Sequence, residues 1–194
     1  MKTPTRKSER LAQEDISMKT KTLFLCGLKS CGKTYFAQKL SKQTKILWLD
    51  SDQEILKLNE GYSSCRELYK AVGPKAFRAK ESQAILSIIE NLETVKEPAV
   101  VSLGGGVCDA NNSLKLIKEH GILVYLEESE QVLYQRMTKD GLPPYLGDKP
   151  EEAFHVLYEK RDKIYSCFAN YVVKLSKWSE KDVLNQLKEL LLDH

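Results

Sequence analysis

The chemistry of this chain concentrates in Gly27-Leu28-Lys29-Ser30-Cys31-Gly32-Lys33-Thr34 and in the polar ends of a few apolar runs. The eight residues fit G-x-x-x-x-G-K-[ST]. When a strand precedes this pattern and a helix opens from it, the loop's backbone N–H groups curl round an anion and the helix N-terminus adds partial positive charge. Lys33 then reaches the β- and γ-phosphates of a nucleotide, and the Thr34 hydroxyl serves as a ligand for Mg²⁺. Gly27, Ser30, Cys31, Gly32 and the following Tyr35 are the remaining candidate nucleotide contacts. Cys31 at a helix N-terminus invites a thiolate reading. No His–acid partnership accompanies it, so it reads as a small loop residue open to oxidation.

A phosphate loop leaves the acceptor open: water, a nucleotide or a metabolite. Asp50 and Asp52 flank Ser51, so an extended backbone would point both carboxylates to the same side of the sheet edge, close to the loop. One can then hold hydrated Mg²⁺ while the other accepts a hydroxyl proton. The competing reading is a helix N-cap acid. Gly104-Gly105-Gly106 ends another apolar run, and three glycines in succession strip every Cβ from the approach, which a simple turn does not need.

These residues need elements to place them. The runs TLFLCG, KILWLD, PAVVSL and ILVYLE read as strands, with YVVKL as a fifth. Helical patterns fall around Gln53–Leu58, Cys65–Lys70, Pro74–Glu93, Asn112–His120, Glu130–Lys139, Glu151–Ala169 and Glu180–Asp193. A further one follows the phosphate loop, where Phe36, Ala37 and Leu40 share a face. Strands alternating with helices imply right-handed crossovers and a parallel sheet covered on both faces, so the fold class is α/β. Gly141–Pro150 is rich in turn formers and polar, and reads as a mobile loop.

The 194 residues suit one compact domain, expected over 22–194. Residues 1–21 are polar, without apolar periodicity, and read as a disordered leader, with Met18 as a second candidate start. That leader holds six Lys/Arg and three Asp/Glu; of the 30 basic and 27 acidic residues, this leaves 24 against 24 in the body. A neutral body argues against nucleic acid as a partner. Five scattered cysteines without a C-x-x-C pair read as reduced thiols. No apolar run approaches the roughly 18 residues of a membrane span, so the expectation is a soluble, cytoplasmic protein with no membrane partner.

From Thr22 to Leu192 the chain resembles shikimate kinase. The resemblance rests on GLKSCGKT, the LDSD strand end, AFR at Ala76–Arg78, LGGG at Leu103–Gly106, Arg136, and KRDKIY at Lys160–Tyr165, in that order. It implies a P-loop kinase fold: a three-layer sandwich with a central five-stranded parallel sheet and a mobile lid at about 138–152. It also implies ATP and Mg²⁺ as cofactors, shikimate as the small-molecule partner, and a monomer. In that family Asp50 belongs to the metal side, while Asp52 binds the shikimate hydroxyls and poises the attacking oxygen. Arg78 and Arg161 clamp the substrate carboxylate, amides of Gly104–Gly106 approach the ring, and Arg136 lies near the adenine. Independently, a guanidinium fork suits a planar carboxylate better than an ammonium. In a chain with 24 Lys and six Arg, three of the four Arg beyond the leader fall at these positions.

The pattern breaks at the lid. Where the family carries an arginine before a proline, this chain has Pro143 before Pro144, and Lys139 and Lys149 bracket the segment as replacement cations. Ser30 stands where glycine is common, and Trp178 lies in the region of an adenine-contacting loop with no role assigned. Retention of Lys33, Thr34, Asp50, Asp52, Arg78 and Arg161 favours a shikimate kinase. The alternatives are another small metabolite kinase, acting on a sugar acid or a nucleoside monophosphate, and a non-catalytic ATP sensor.

Overall fold

A computed structural model describes residues 21–109 and 112–192; the leader expected over 1–21 lies, but for Lys21, outside them. The elements run β1 (Leu23–Cys26), α1 (Lys33–Thr44), β2 (Leu47–Asp50), α2 (Ser51–Lys57), α3 (Cys65–Val95) and β3 (Ala99–Ser102). After these come α4 (Ser113–His120), β4 (Ile122–Glu127), α5 (Glu130–Asp140), α6 (Pro150–Phe168), β5 (Tyr171–Lys174) and α7 (Glu180–Leu192).

The five strands form one parallel sheet in the order β2-β3-β1-β4-β5. Every residue of β1 and β3 is buried, whichever way its side chain points, so helices cover both faces. The edge strands β2 and β5 alone keep exposed positions. Each fully buried Leu or Phe in such a core contributes about 1.5–3 kcal/mol. Because β1 pairs with both β3 and β4, the chain leaves β1 towards one edge and β3 towards the other. A crevice therefore opens beyond their C-terminal ends. Leu25 and Asp50 both pair with Ser102, so the phosphate loop, the Asp50 corner and the glycine triplet leave the same sheet edge.

Two local differences from the sequence reading matter for the site. The separate helical patterns at Cys65–Lys70 and Pro74–Glu93 are stacked into α3 across a kink, where Gly73 has φ 78° and Pro74 restarts the turn. A small cluster of Ile55, Leu68, Phe77 and Ala84 packs α3 against α2, which fixes the wall bearing Arg78. The segment Gly141–Pro150, read as a polar loop, anchors itself through a 3₁₀ turn at Pro144–Leu146, with Leu146 buried in the main core, and its last residue opens α6.

Candidate active site

The phosphate loop takes the backbone its sequence demands. Gly32 caps α1 at φ 100°, and Ser30 sits at φ 66°, a left-handed conformation that explains the usual glycine there. Lys33 is buried; its Nζ donates to the carbonyls of Gly27 (3.0 Å) and Leu28 (2.9 Å) and lies 3.7 Å from Cys31 Sγ. The ammonium is thus held inside the cradle.

Asp50 and Asp52 converge, but not by the extended backbone expected. Asp50 ends β2 and caps α2, its Oδ1 accepting from the amides of Asp52 (2.9 Å) and Gln53 (3.3 Å). Asp52 belongs to the first turn of that helix, because the cap starts the helix at Ser51. Asp50 Oδ2 accepts from Thr34 Oγ1 (3.1 Å) and from Ser102 Oγ (2.7 Å). Thr34 and Asp50 thus supply adjacent hard oxygen donors. Among the described residues no group of three or more His, Cys, Asp or Glu could hold a metal. A pair of oxygens at a phosphate loop fits Mg²⁺, which keeps most of its shell as water and phosphate oxygen.

Asp52 faces a cavity of about 140 Å³ lined also by Arg78, Arg161 and the three glycines. Asp52 stays accessible to solvent, yet crowding by the cavity walls, then the neighbouring Asp50 charge, push its carboxyl above the usual range, while Lys33 and Lys29 pull the other way. The glycines are needed for space. A β-carbon at Gly104 would lie 2.7 Å from Asp52 Oδ1, and one at Gly105 2.9 Å from the Lys29 amide nitrogen. One at Gly106 would run into the Arg78 guanidinium. A larger open hollow of about 550 Å³ lies at the opposite edge of the sheet, by Lys21, Pro98 and Ile122, and carries none of these groups.

The two arginines are built in, not solvated. Arg78 donates to Glu81 and to the Gly106 carbonyl (3.3 Å). Arg161, almost fully buried, donates from Nε (3.1 Å) and Nη2 (2.5 Å) to Asp109 Oδ2, which also lies 3.7 Å from Arg78 Nη2. Glu81 and Asp109 were not singled out in the sequence. Glu81 carried a signal, standing three residues after Arg78 on a helix face; Asp109 carried none, since only the fold returns it to Arg161. Burial pushes the Asp109 carboxyl up, but Arg161 and Lys160 outweigh this and hold it below its ordinary value. Its stabilising contribution is therefore present above the unfolded carboxylate pKa and is lost as pH falls through the folded one. Asp109→Ala, which strands a buried guanidinium, should cost on the order of 2 kcal/mol near neutral pH, read as a lower urea midpoint. The deficit should shrink in acid.

On the other side of the loop, Arg136 is tied to its neighbours. It pairs with Glu128 (3.2 Å) and donates to the Ser30 carbonyl (3.2 Å), while edging a cleft of about 390 Å³ with Gly32 and Trp178. Trp178, half exposed, thus offers an aromatic face beside the phosphate loop. Tyr35 borders the same cleft and donates its hydroxyl to Glu180 (2.6 Å). The bracketing lysines do not reach the acceptor cavity: Lys149 pairs with Glu152 (2.9 Å), and neither it nor Lys139 lines the pocket.

Comparison with known proteins places this geometry. Residues 29–192 match the family model for shikimate kinase. The chain is 29% identical to a shikimate kinase of Bacillus cereus, covering 87% of this chain and 97% of that one. It is 31% identical to one of Cereibacter sphaeroides, covering 88% and 82%. Among solved structures, the shikimate kinase of Acinetobacter baumannii in complex with shikimate superposes with a TM-score of 0.78 at 24% identity, over 93% of this chain and 97% of that one, which speaks to the fold. The family match spans nearly all of the described chain, and the phosphate loop from Lys29 on, the acidic corner and the arginine-lined cup occur within it: the chain belongs to the shikimate kinase family.

Proposed function

We propose that this chain transfers the γ-phosphoryl group of ATP to a ring hydroxyl of shikimate, giving ADP and shikimate 3-phosphate. The observation that carries the reading is that Asp52 shares one cavity with Arg78 and Arg161, while its carboxylate also feels the Lys33 ammonium of the phosphate loop. Phosphoryl transfer asks for in-line positioning and charge neutralisation rather than covalent chemistry. Lys33 leaves the loop carbonyls to meet the β- and γ-phosphates. Asp52 accepts the proton of the attacking hydroxyl as the new O–P bond forms and the bond to the β–γ bridging oxygen breaks. Asp109 engages the Nε and Nη2 edge of Arg161, so the acceptor's carboxylate is met by Nη1 and by Arg78. Thr34 and Asp50 would hold Mg²⁺, which would supply neutralisation of phosphate charge there. Pro143 and Tyr145 already stand over the pocket, where they help to exclude water.

No helix among the described residues is long and apolar enough to cross a membrane. We place the protein in the cytoplasm as a monomer. A coupled ADP assay across shikimate, quinate, gluconate and nucleoside monophosphates tests the substrate: acceleration by shikimate alone is expected, and equal traces with and without it would point to an ATP sensor. Arg161→Lys should raise KM for shikimate about 10–100-fold with little change in kcat, the cost of one charged hydrogen-bonded contact made equally in ground and transition states. An unchanged KM removes Arg161 from the clamp.

A further inference from the structure

The acceptor cavity carries more positive charge than its walls neutralise. Lys29, Arg66, Arg78 and Arg161 line it, against the carboxylates of Asp52 and Glu81. Arg78 and Arg161 are committed to Glu81 and Asp109. Lys29 and Arg66 make no ion pair among the described residues. Of the two, only Arg66 brings a planar guanidinium fork, and its Nη2 donates to the Gly141 carbonyl at 2.8 Å.

The position of Arg66 is poor for stability. It stands in the first turn of α3, just past the Ser64 cap, where the helix dipole disfavours a cation. Gly141, its partner, ends α5 at a positive φ (86°) and starts the segment that brings Pro143 and Tyr145 over the cavity. One edge of the fork is therefore spent on the start of the covering segment, and the remaining N–H groups stay available at the mouth of the site. A planar guanidinium with free donors at that place matches a phosphoryl group in transit better than an ammonium does.

We propose that Arg66 is the guanidinium that meets the transferred phosphoryl group, delivered from the first turn of α3 in place of the covering segment, which has Pro143 at the corresponding point. This role rests on the phosphotransfer reading above. The test is steady-state ADP release with ATP and shikimate for the wild type, Arg66→Ala, Arg66→Lys and the double variant Arg66→Ala/Pro143→Arg. Arg66→Ala should lower kcat about 10–100-fold with KM for shikimate nearly unchanged, the signature of a contact made in the transition state. Arg66→Lys should recover part of the loss, and Pro143→Arg should restore at least about 5-fold of it by returning a guanidinium from the other side. Arg66 is exposed, so its thermal midpoint should stay that of the wild type. A wild-type kcat in Arg66→Ala, a loss confined to KM, or a double variant no faster than the single one overturns the assignment. A wild type that does not turn over shikimate overturns the parent reading instead, before any variant is compared.

Discussion

Lys33→Ala is expected to lower kcat by at least about 10²–10³ at saturating ATP and shikimate, the usual loss when a preorganised electrostatic group is deleted. The structure explains why so much rests on one side chain. Its ammonium is already desolvated and held by two carbonyls of the loop it serves, so turning to a phosphate costs little reorganisation. The body of the chain is charge-balanced, and no diffuse basic field stands in for it. The fold should tolerate the change, because Lys33 pairs with no carboxylate among the described residues, so no buried charge is stranded when it goes. Lys33→Met, which keeps most of the stem volume, should give the same rate loss. The decisive measurement is the partition between kcat and the KM for ATP. A defect lying wholly in KM would mean that Lys33 holds the nucleotide equally in ground and transition states.

What the sequence made legible was what local physics encodes. Continuous apolar runs ending in glycine or acid located the strands, and the loop pattern located its own cradle, because both depend on neighbours a few residues away. The acidic corner lies beside the phosphate loop, but a helix cap and not an extended backbone puts it there. Asp50-Ser51-Asp52 can continue a strand or cap a helix, and the cap wins because Asp50 satisfies two amides at the start of α2. Asp109 and Arg66 stayed hidden for another reason. Their partners, Arg161 and Gly141, lie 52 and 75 residues away, and no periodicity relates them. Leu146 was hidden by its setting: a leucine in a run rich in Pro and Gly looks like loop, yet with Leu142 it pins the covering segment to the core. The lysines at 139 and 149 show the converse hazard, since proximity in sequence to a missing cation says nothing about which way a helix end points.

Asp52→Asn separates catalysis from stability at the same residue. Removing the base should lower kcat about 10²–10⁴-fold, the range for a positioned general base. The same change should make the protein more stable near neutral pH. Asp52 keeps solvent access, but crowding by the crevice walls first, and the adjacent Asp50 charge second, raise its carboxyl above the unfolded value, so the folded protein binds that proton somewhat more tightly than the unfolded chain does. Folding is then penalised as pH climbs from the unfolded value through the folded one, and the penalty persists at every higher pH. Asparagine carries no such penalty. The difference in thermal midpoint, variant minus wild type, should be positive at about pH 7 and close towards zero in acid, where the wild-type carboxyl is protonated in both states. Wild-type kcat/KM should fall along the same limb, because protonated Asp52 cannot take the hydroxyl proton. A variant that loses activity with no gain in midpoint at neutral pH would mean that the Lys29 and Lys33 charges fully offset the crowding. Asp52 would then be an ordinary ionised carboxylate, its reactivity owed to position alone.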